Sequence, residues 1–177
     1  LRRQVVFRIM RQHQPTHHVE MDAGPWGAGA LLCHGEEVNS YFAIPWSVED
    51  AHHYQTEIRN AKGQTYYELL CVLLVLDTWG AQHREGLTLM GDNLASLTEC
   101  LKLRGRGKLG AISREISWRH CRRGWNYTVA HLPTENNETA DALSRMYAPD
   151  AAKLPVRVSW ALRVEPQPVK LLWQARG

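Results

Sequence analysis

Apolar and polar positions alternate early in the chain and take on a helical spacing later. Residues 17–22, HHVEMD, alternate and predict a strand. The GPWGAG stretch at 24–29 supplies a turn and small residues, and 30–33 reads as a second strand. Residues 37–44 predict a third strand, ended by Pro45, and 46–63 are polar and irregular. Residues 65–80, TYYELLCVLLVLDTWG, are the strongest helical segment, stopped by Gly80. That segment is apolar nearly all round, which predicts deep burial. A fourth strand is expected at 87–92. Asn93 can cap a helix running to Leu103, with Leu94, Leu97 and Leu101 on one face. A basic loop follows at 102–108, and Leu109, Ile112 and Ile116 mark another helix ending at Gly124. Residues 125–131 alternate as a fifth strand, with Trp125, Tyr127, Val129 and His131 on one face. Pro133 breaks it, and 136–147 predict the last helix. The stretch 148–177 has four prolines and no clear period; it reads as a linker, or as an extension that packs on a partner.

The order β-β-β-α-β-α-α-β-α predicts an α/β fold. Its three leading strands imply an antiparallel meander, and the later alternation implies parallel additions to a five-stranded mixed sheet with helices on both faces. The length of 177 residues suits one domain with extras, and 44% hydrophobic content suffices for a core. The longest apolar run, LLCVLLVL, is far below the ~20 residues of a membrane span. The first residues, LRRQVVFRIMRQH, are basic with only short apolar stretches, unlike a secretory signal. An intracellular protein is therefore expected, with 1–16 as a lead-in from an upstream region, 17–147 as the working domain and 148–177 beyond it. Cys33, Cys71, Cys100 and Cys121 are widely spaced with no CxxC, so they read as reduced thiols. The adjacent pairs Cys33-His34 and His120-Cys121 do not easily ligate one ion, which argues against zinc. A net charge of +3 permits a polyanionic partner without demanding one.

Four acids stand where the local pattern asks for something else. Asp22 and Asp92 end extended runs, Glu68 is the only charge in TYYELLCVLLVL, and Asp141 lies in ENNETADALSRMY. A carboxylate in an apolar segment is costly unless paired or bound to metal. Singly, Asp22 could be a turn residue, Glu68 a partly exposed helix residue, Asp92 a helix cap and Asp141 a charge favoured by a helix dipole. Together they suggest a site for hard divalent cations, of the kind that clamps the attacking and leaving oxygens of a phosphodiester between two ions roughly 4 Å apart. His131 could move a proton near neutral pH, or be a surface histidine. Arg104, Arg106 and Lys108 could touch phosphates, or form a solvated turn. Trp26 and Trp46 could stack on a base or sugar, although most tryptophans are expected in the core.

The blocks MDAGPWGAGALL, YYELLCVLLVLDTW, LTLMGDNLASL and VAHLPTENNETADALSR, taken in order, resemble the ribonuclease H domain of reverse transcriptases, most closely that of gypsy-like LTR retrotransposons. The resemblance runs from His18 to Tyr147, and its most specific block is the last, a His followed by a Pro-containing loop, an Asn and ADALSR. It implies a ribonuclease H-like fold, with Asp22, Glu68, Asp92 and Asp141 as the catalytic acids that hold two Mg²⁺ or Mn²⁺ ions. It implies His131 as the mobile-loop histidine, and substrate contacts at Ala23, Gly24, Asn93 and Asn137. The implied activity is cleavage of the RNA strand of an RNA–DNA hybrid during reverse transcription, leaving a 3′-hydroxyl and a 5′-phosphate. The implied setting is a polyprotein with a polymerase domain, in the cytoplasm or a retroelement particle. No YxDD-type motif is present, so DNA synthesis is not expected. The alternatives are a domain of the same origin that holds hybrid or protein without cutting, and another nuclease of this fold. All four acids being present argues against the first. A transposase has no use for Glu68, and the order Glu20-x-Asp22 is not the Asp-x-Glu of a proofreading exonuclease.

Overall fold

The computed structural model describes residues 15–53, 59–60, 63–93, 97–98, 109–151 and 153–168. Strands β1 (His17–Ala23), β2 (Gly27–His34) and β3 (Glu37–Pro45) form the expected antiparallel meander. Strands β4 (Leu87–Gly91) and β5 (Tyr127–His131) add in parallel beside β1, giving one five-stranded mixed sheet in the order β3-β2-β1-β4-β5. Helix α1 (Val48–His53) is short, and α2 (Gln64–Trp79), α3 (Leu109–Arg123) and α4 (Glu138–Ser144) pack around the sheet. The expected five-stranded mixed α/β architecture is therefore present.

Alternation along β1 divides the molecule into two cores. Val19, Met21 and Ala23 join the cluster under α2 and α3, whereas Glu20 and Asp22 look toward α4 and the segment that follows it. Helix α2 lies in the first cluster with Tyr67 through Leu76 buried, as its all-round apolar pattern requires. Fully burying each such leucine contributes about 1.5–3 kcal/mol. The helix is clamped to α3 by Asp77, whose Oδ1 accepts from Arg119 Nη1 at 2.6 Å and Arg123 Nη1 at 2.5 Å. The second cluster sets Leu31, Cys33, Tyr41 and Ala43 of the sheet against Ala140 and Leu143 of α4 and Val158 beyond it.

Several boundaries differ from the sequence expectation. The stretch 46–63 is not wholly irregular: Ser47 accepts from the Asp50 N–H at 3.1 Å and donates to the Asp50 carboxylate at 2.5 Å, which caps α1. Strand β2 begins at Gly27 rather than Ala30, so half of the expected turn is strand. Trp125 is buried ahead of β5 rather than within it. The last helix divides: a 3-10 turn at Thr134–Asn136 precedes α4, which stops at Ser144. Of the helix expected after Asn93, Leu97 and Thr98 are described and are helical; Leu97 N–H donates to Asn93 O at 3.2 Å.

The glycines of β2 let α4 approach the sheet. A Cβ on Gly29 would lie 2.4 Å from Leu143 Cβ and 2.6 Å from Ser144 N, whereas one on Gly24 would meet nothing within 4 Å. Gly29→Ala should cost about 1–3 kcal/mol, and Gly24→Ala less than about 0.5 kcal/mol. Urea denaturation midpoints check this, and equal midpoints for the two variants would contradict the close approach.

Candidate active site

The parallel pairing of Glu20 with Met90 sets the carboxyl ends of β1 and β4 side by side, so Asp22 and Asp92 emerge at one edge of the sheet. Glu68 reaches the same point from α2. One carboxylate oxygen from each of Asp22, Glu68 and Asp92 lies within 4.8 Å of the others. Glu68 is 1% exposed, so its carboxyl is held inside the protein rather than beside it. These three acids and Asp141 line one cleft of about 620 Å³, together with Ala23, Gly24 and Asn93.

Each acid is held by neighbours. Ser144 donates to Asp22 Oδ2 at 2.5 Å, and Thr134 to Asp92 Oδ2 at 3.0 Å. Glu68 Oε1 accepts from Gln64 Nε2 at 3.0 Å and from the Ala23 N–H at 3.4 Å. Gln64 also donates to Ala23 O, which ties α2 to the end of β1. Asp141, at the rim, pairs with Arg145 at 2.8 Å. Asn137 lies behind the cleft, buried, with Nδ2 donating to Met21 O at 3.0 Å. Its backbone carbonyl accepts from Asp141 N–H at 3.0 Å, so it links α4 to β1.

Not every expected residue converges. His131 ends β5 opposite Gly91 and is exposed; it does not line the cleft. Arg104, Arg106 and Lys108 lie outside the described residues. Sequence reasoning missed Ser144, Thr134, Gln64 and Arg145. The signal for Gln64 was its place one helical turn before Glu68, and for Ser144 its place in ADALSR, one turn after Asp141.

The acids crowd one another. Burial first, and then the Asp92 and Asp141 carboxylates, push Asp22 up to about 6, against the opposing pull of the Ser144 hydroxyl. Burial and the charges of Asp22 and Asp92 push Glu68 well above the usual carboxylate range. A compact, oxygen-only donor set that repels itself fits hard divalent ions, which supply the missing positive charge. No other cluster of carboxylates alone has this closeness among the described residues.

No protein-family model matches the sequence, and no curated protein matches it. Among solved structures, the chain is similar to ribonuclease H1 from the halophilic archaeon Halobacterium salinarum NRC-1, at 15% identity over 76% of this chain and 97% of the other, with a TM-score of 0.45. It is also similar to LC11 ribonuclease H1, isolated from compost by a metagenomic approach, at 15% identity over 72% of this chain and 89% of that one, with a TM-score of 0.47. The structure of LC11 ribonuclease H1 in complex with an RNA/DNA hybrid is similar at 12% identity over 72% and 91%, with a TM-score of 0.47. The chemistry of the cleft rests on its own geometry.

The raised acids make metal-free stability depend on pH. The folded chain keeps a proton on Asp22 up to about pH 6, whereas the unfolded chain gives it up near 3.8. Stability is therefore fully present below the lower value and is lost as pH rises toward the upper one; the span corresponds to on the order of 3 kcal/mol. Asp22→Asn should match wild type near pH 4 and exceed it above pH 6, in chemical denaturation with a chelator present. Mg²⁺ or Mn²⁺ should then raise the wild-type Tm at pH 7.5 and leave the variant's nearly unchanged. A variant less stable than wild type above pH 6 would contradict the crowding of charge.

Proposed function

We propose that this chain is a metal-dependent endonuclease that hydrolyses the RNA strand of RNA–DNA hybrids. The observation that carries the reading is the meeting of Asp22, Glu68 and Asp92, from β1, α2 and β4, within 4.8 Å of one another in an open cleft. Asp22, Glu68, Asp92 and Asp141 would hold two Mg²⁺ ions, or Mn²⁺ in their place. When bound, the ions supply Lewis acidity at the attacking and leaving oxygens of the phosphodiester.

The remaining work falls to the chain. Asp22 and Glu68 give up the protons that burial and crowding have left on them. Ser144, Thr134 and Gln64 fix the carboxylate orientations, so little reorganisation is needed when substrate arrives. Asn137 acts through Met21 by holding the end of β1 against α4. Ala23, Gly24 and Asn93 line the cleft wall, where the substrate backbone would lie. His131, exposed on the neighbouring strand end, exchanges protons with water or the leaving oxygen once substrate spans the cleft.

Support for a hybrid substrate comes from the order of sequence blocks ending in ENNETADALSR. A protein can tell RNA from DNA through the 2′-hydroxyl in the wide minor groove of an A-like helix. The same resemblance underlies the proposed setting: a retroelement polyprotein in which residues 17–147 are the nuclease unit beside a reverse transcriptase polymerase domain. No helix among the described residues is long and apolar enough to cross a membrane.

The test is cleavage of a labelled hybrid beside RNA and DNA duplexes of the same sequence. Only the hybrid's RNA strand should be cut, and only with Mg²⁺ or Mn²⁺. Asp92→Asn should lower the rate by at least about 10²–10³-fold, which is several kcal/mol of lost ion chemistry. His131→Ala should slow it by about 10–100-fold without abolishing it. Undiminished cutting by folded Asp92→Asn, or equal cutting of the DNA duplex, would reject the reading.

A further inference from the structure

Beyond the acidic cleft, β1 and β2 bring together a second set of donors. His18 and Cys33 are direct partners across the antiparallel ladder, and Glu20 is two residues along from His18 on the same face. Donor atoms of His18, Glu20 and Cys33 all lie within 4.8 Å of one another, with His18 Nε2 3.5 Å from Glu20 Oε1. Glu20 and Cys33 are buried, while the His18 side chain is 24% exposed and opens the group to solvent. The adjacency of Cys33 and His34, which argues against an ion held by that pair, is no obstacle. Neighbours on a strand point to opposite faces, and the histidine that meets Cys33 comes from the facing strand.

A cation already occupies this place. Arg157, from the segment after α4, lays Nη1 on both oxygens of Glu20, at 2.8 and 2.6 Å, and brings Nη2 to 3.8 Å from Cys33 Sγ. The guanidinium thus shows that the buried carboxylate attracts positive charge beside the sulfur, and the Arg157 side chain is 36% exposed, so it can be replaced from the solvent side. The acidic cleft offers oxygens only, suited to Mg²⁺, whereas an imidazole, a thiolate and a carboxylate suit a softer ion. Donor atoms around a tetrahedral zinc stand roughly 3.3–3.8 Å apart, so small side-chain rotations close the set.

We propose that His18, Glu20 and Cys33 form a second metal site, selective for Zn²⁺-like ions, which an incoming ion fills by displacing Arg157. Three protein ligands leave one position for water on the open side of His18. On binding, the Cys33 thiol passes its proton to solvent and sulfur bonds to the metal as thiolate, so no oxidation or reduction is involved. Displacement of Arg157 removes one of the contacts that pin its segment to the sheet, and ion occupancy becomes linked to how firmly that segment is held.

Co²⁺ serves as the spectroscopic probe and Zn²⁺ as the competitor, with the full chain in excess Mg²⁺ to saturate the acidic cleft. Cobalt should develop a thiolate-to-metal charge-transfer band at one ion per chain, and Zn²⁺ should abolish it. Cys33→Ser should remove the band, and His18→Ala should weaken binding. Arg157→Gln, which removes the competing cation, should tighten it by about tenfold. Failure of the band to form in wild type, or its survival in Cys33→Ser, would overturn the proposal; so would unchanged affinity in Arg157→Gln. Should Cys33→Ser fold poorly by circular dichroism, His18→Ala decides, since its side chain is partly in solvent: affinity equal to wild type rejects the site.

Discussion

Helix α4 lies so close to the sheet that only a hydrogen atom fits at Gly29. Most of what surrounds the acidic cleft depends on that contact. It puts the Ser144 hydroxyl on Asp22, the Asn137 amide on Met21 O, and Asp141 at the rim of the same cleft. A helix set back by the width of one methyl group would lengthen all three relationships at once. The second apolar cluster follows from it too, because Ala140 and Leu143 reach the sheet residues Leu31 and Ala43 only at that separation.

The cleft is then a balance between a scaffold that forces carboxylates together and charges that push them apart. On one side stands α2, buried along most of its length and clamped to α3 through Asp77 and Arg119, so Glu68 cannot retreat. On the other stands β1, fixed between β2 and β4, so Asp22 cannot retreat either. Protonation is the relief open to the metal-free protein, and burial makes that relief effective. Strength in the surrounding core is what allows an unfavourable arrangement to persist at one edge of the sheet.

Much of this architecture was legible in the residues, and the failures have physical reasons. The alternation of HHVEMD and the unbroken apolar run around Glu68 identified β1 and α2 because each is a long, regular signal. The glycines before Ala30 misled, since glycine marks turns; here Gly27 and Gly29 are strand residues that make room for other backbone. Helix α1 was hidden by polarity, although Ser47 with Asp50 three residues later is a capping signature. The last helix was read as continuous because periodicity does not register that the Asn137 side chain is spent on β1. In the cleft, Asp22, Glu68, Asp92 and Asp141 stood out as acids in apolar or strand-ending positions. Ser144 and Thr134 did not, because a hydroxyl in a polar stretch is unremarkable until its partner is known. The pairing of Cys33 with His18 was equally invisible, being set by the register of a hairpin rather than by spacing along the chain.

The segment after α4 has one more effect, on the border of the sheet. Strand β3 is nine residues long and, among the described residues, has a neighbouring strand on only one side. An open border of that length is a template on which a second chain can add its own strand. Here Arg163 bridges to Tyr41, the Val164 N–H donates to Tyr41 O at 2.8 Å, and the Arg163 guanidinium reaches Ala43 O at 3.2 Å. Two carbonyls of that border, at Tyr41 and Ala43, are thereby occupied by the same polypeptide. A stretch whose prolines gave it no period of its own thus acts as a selvedge along part of the sheet's open border.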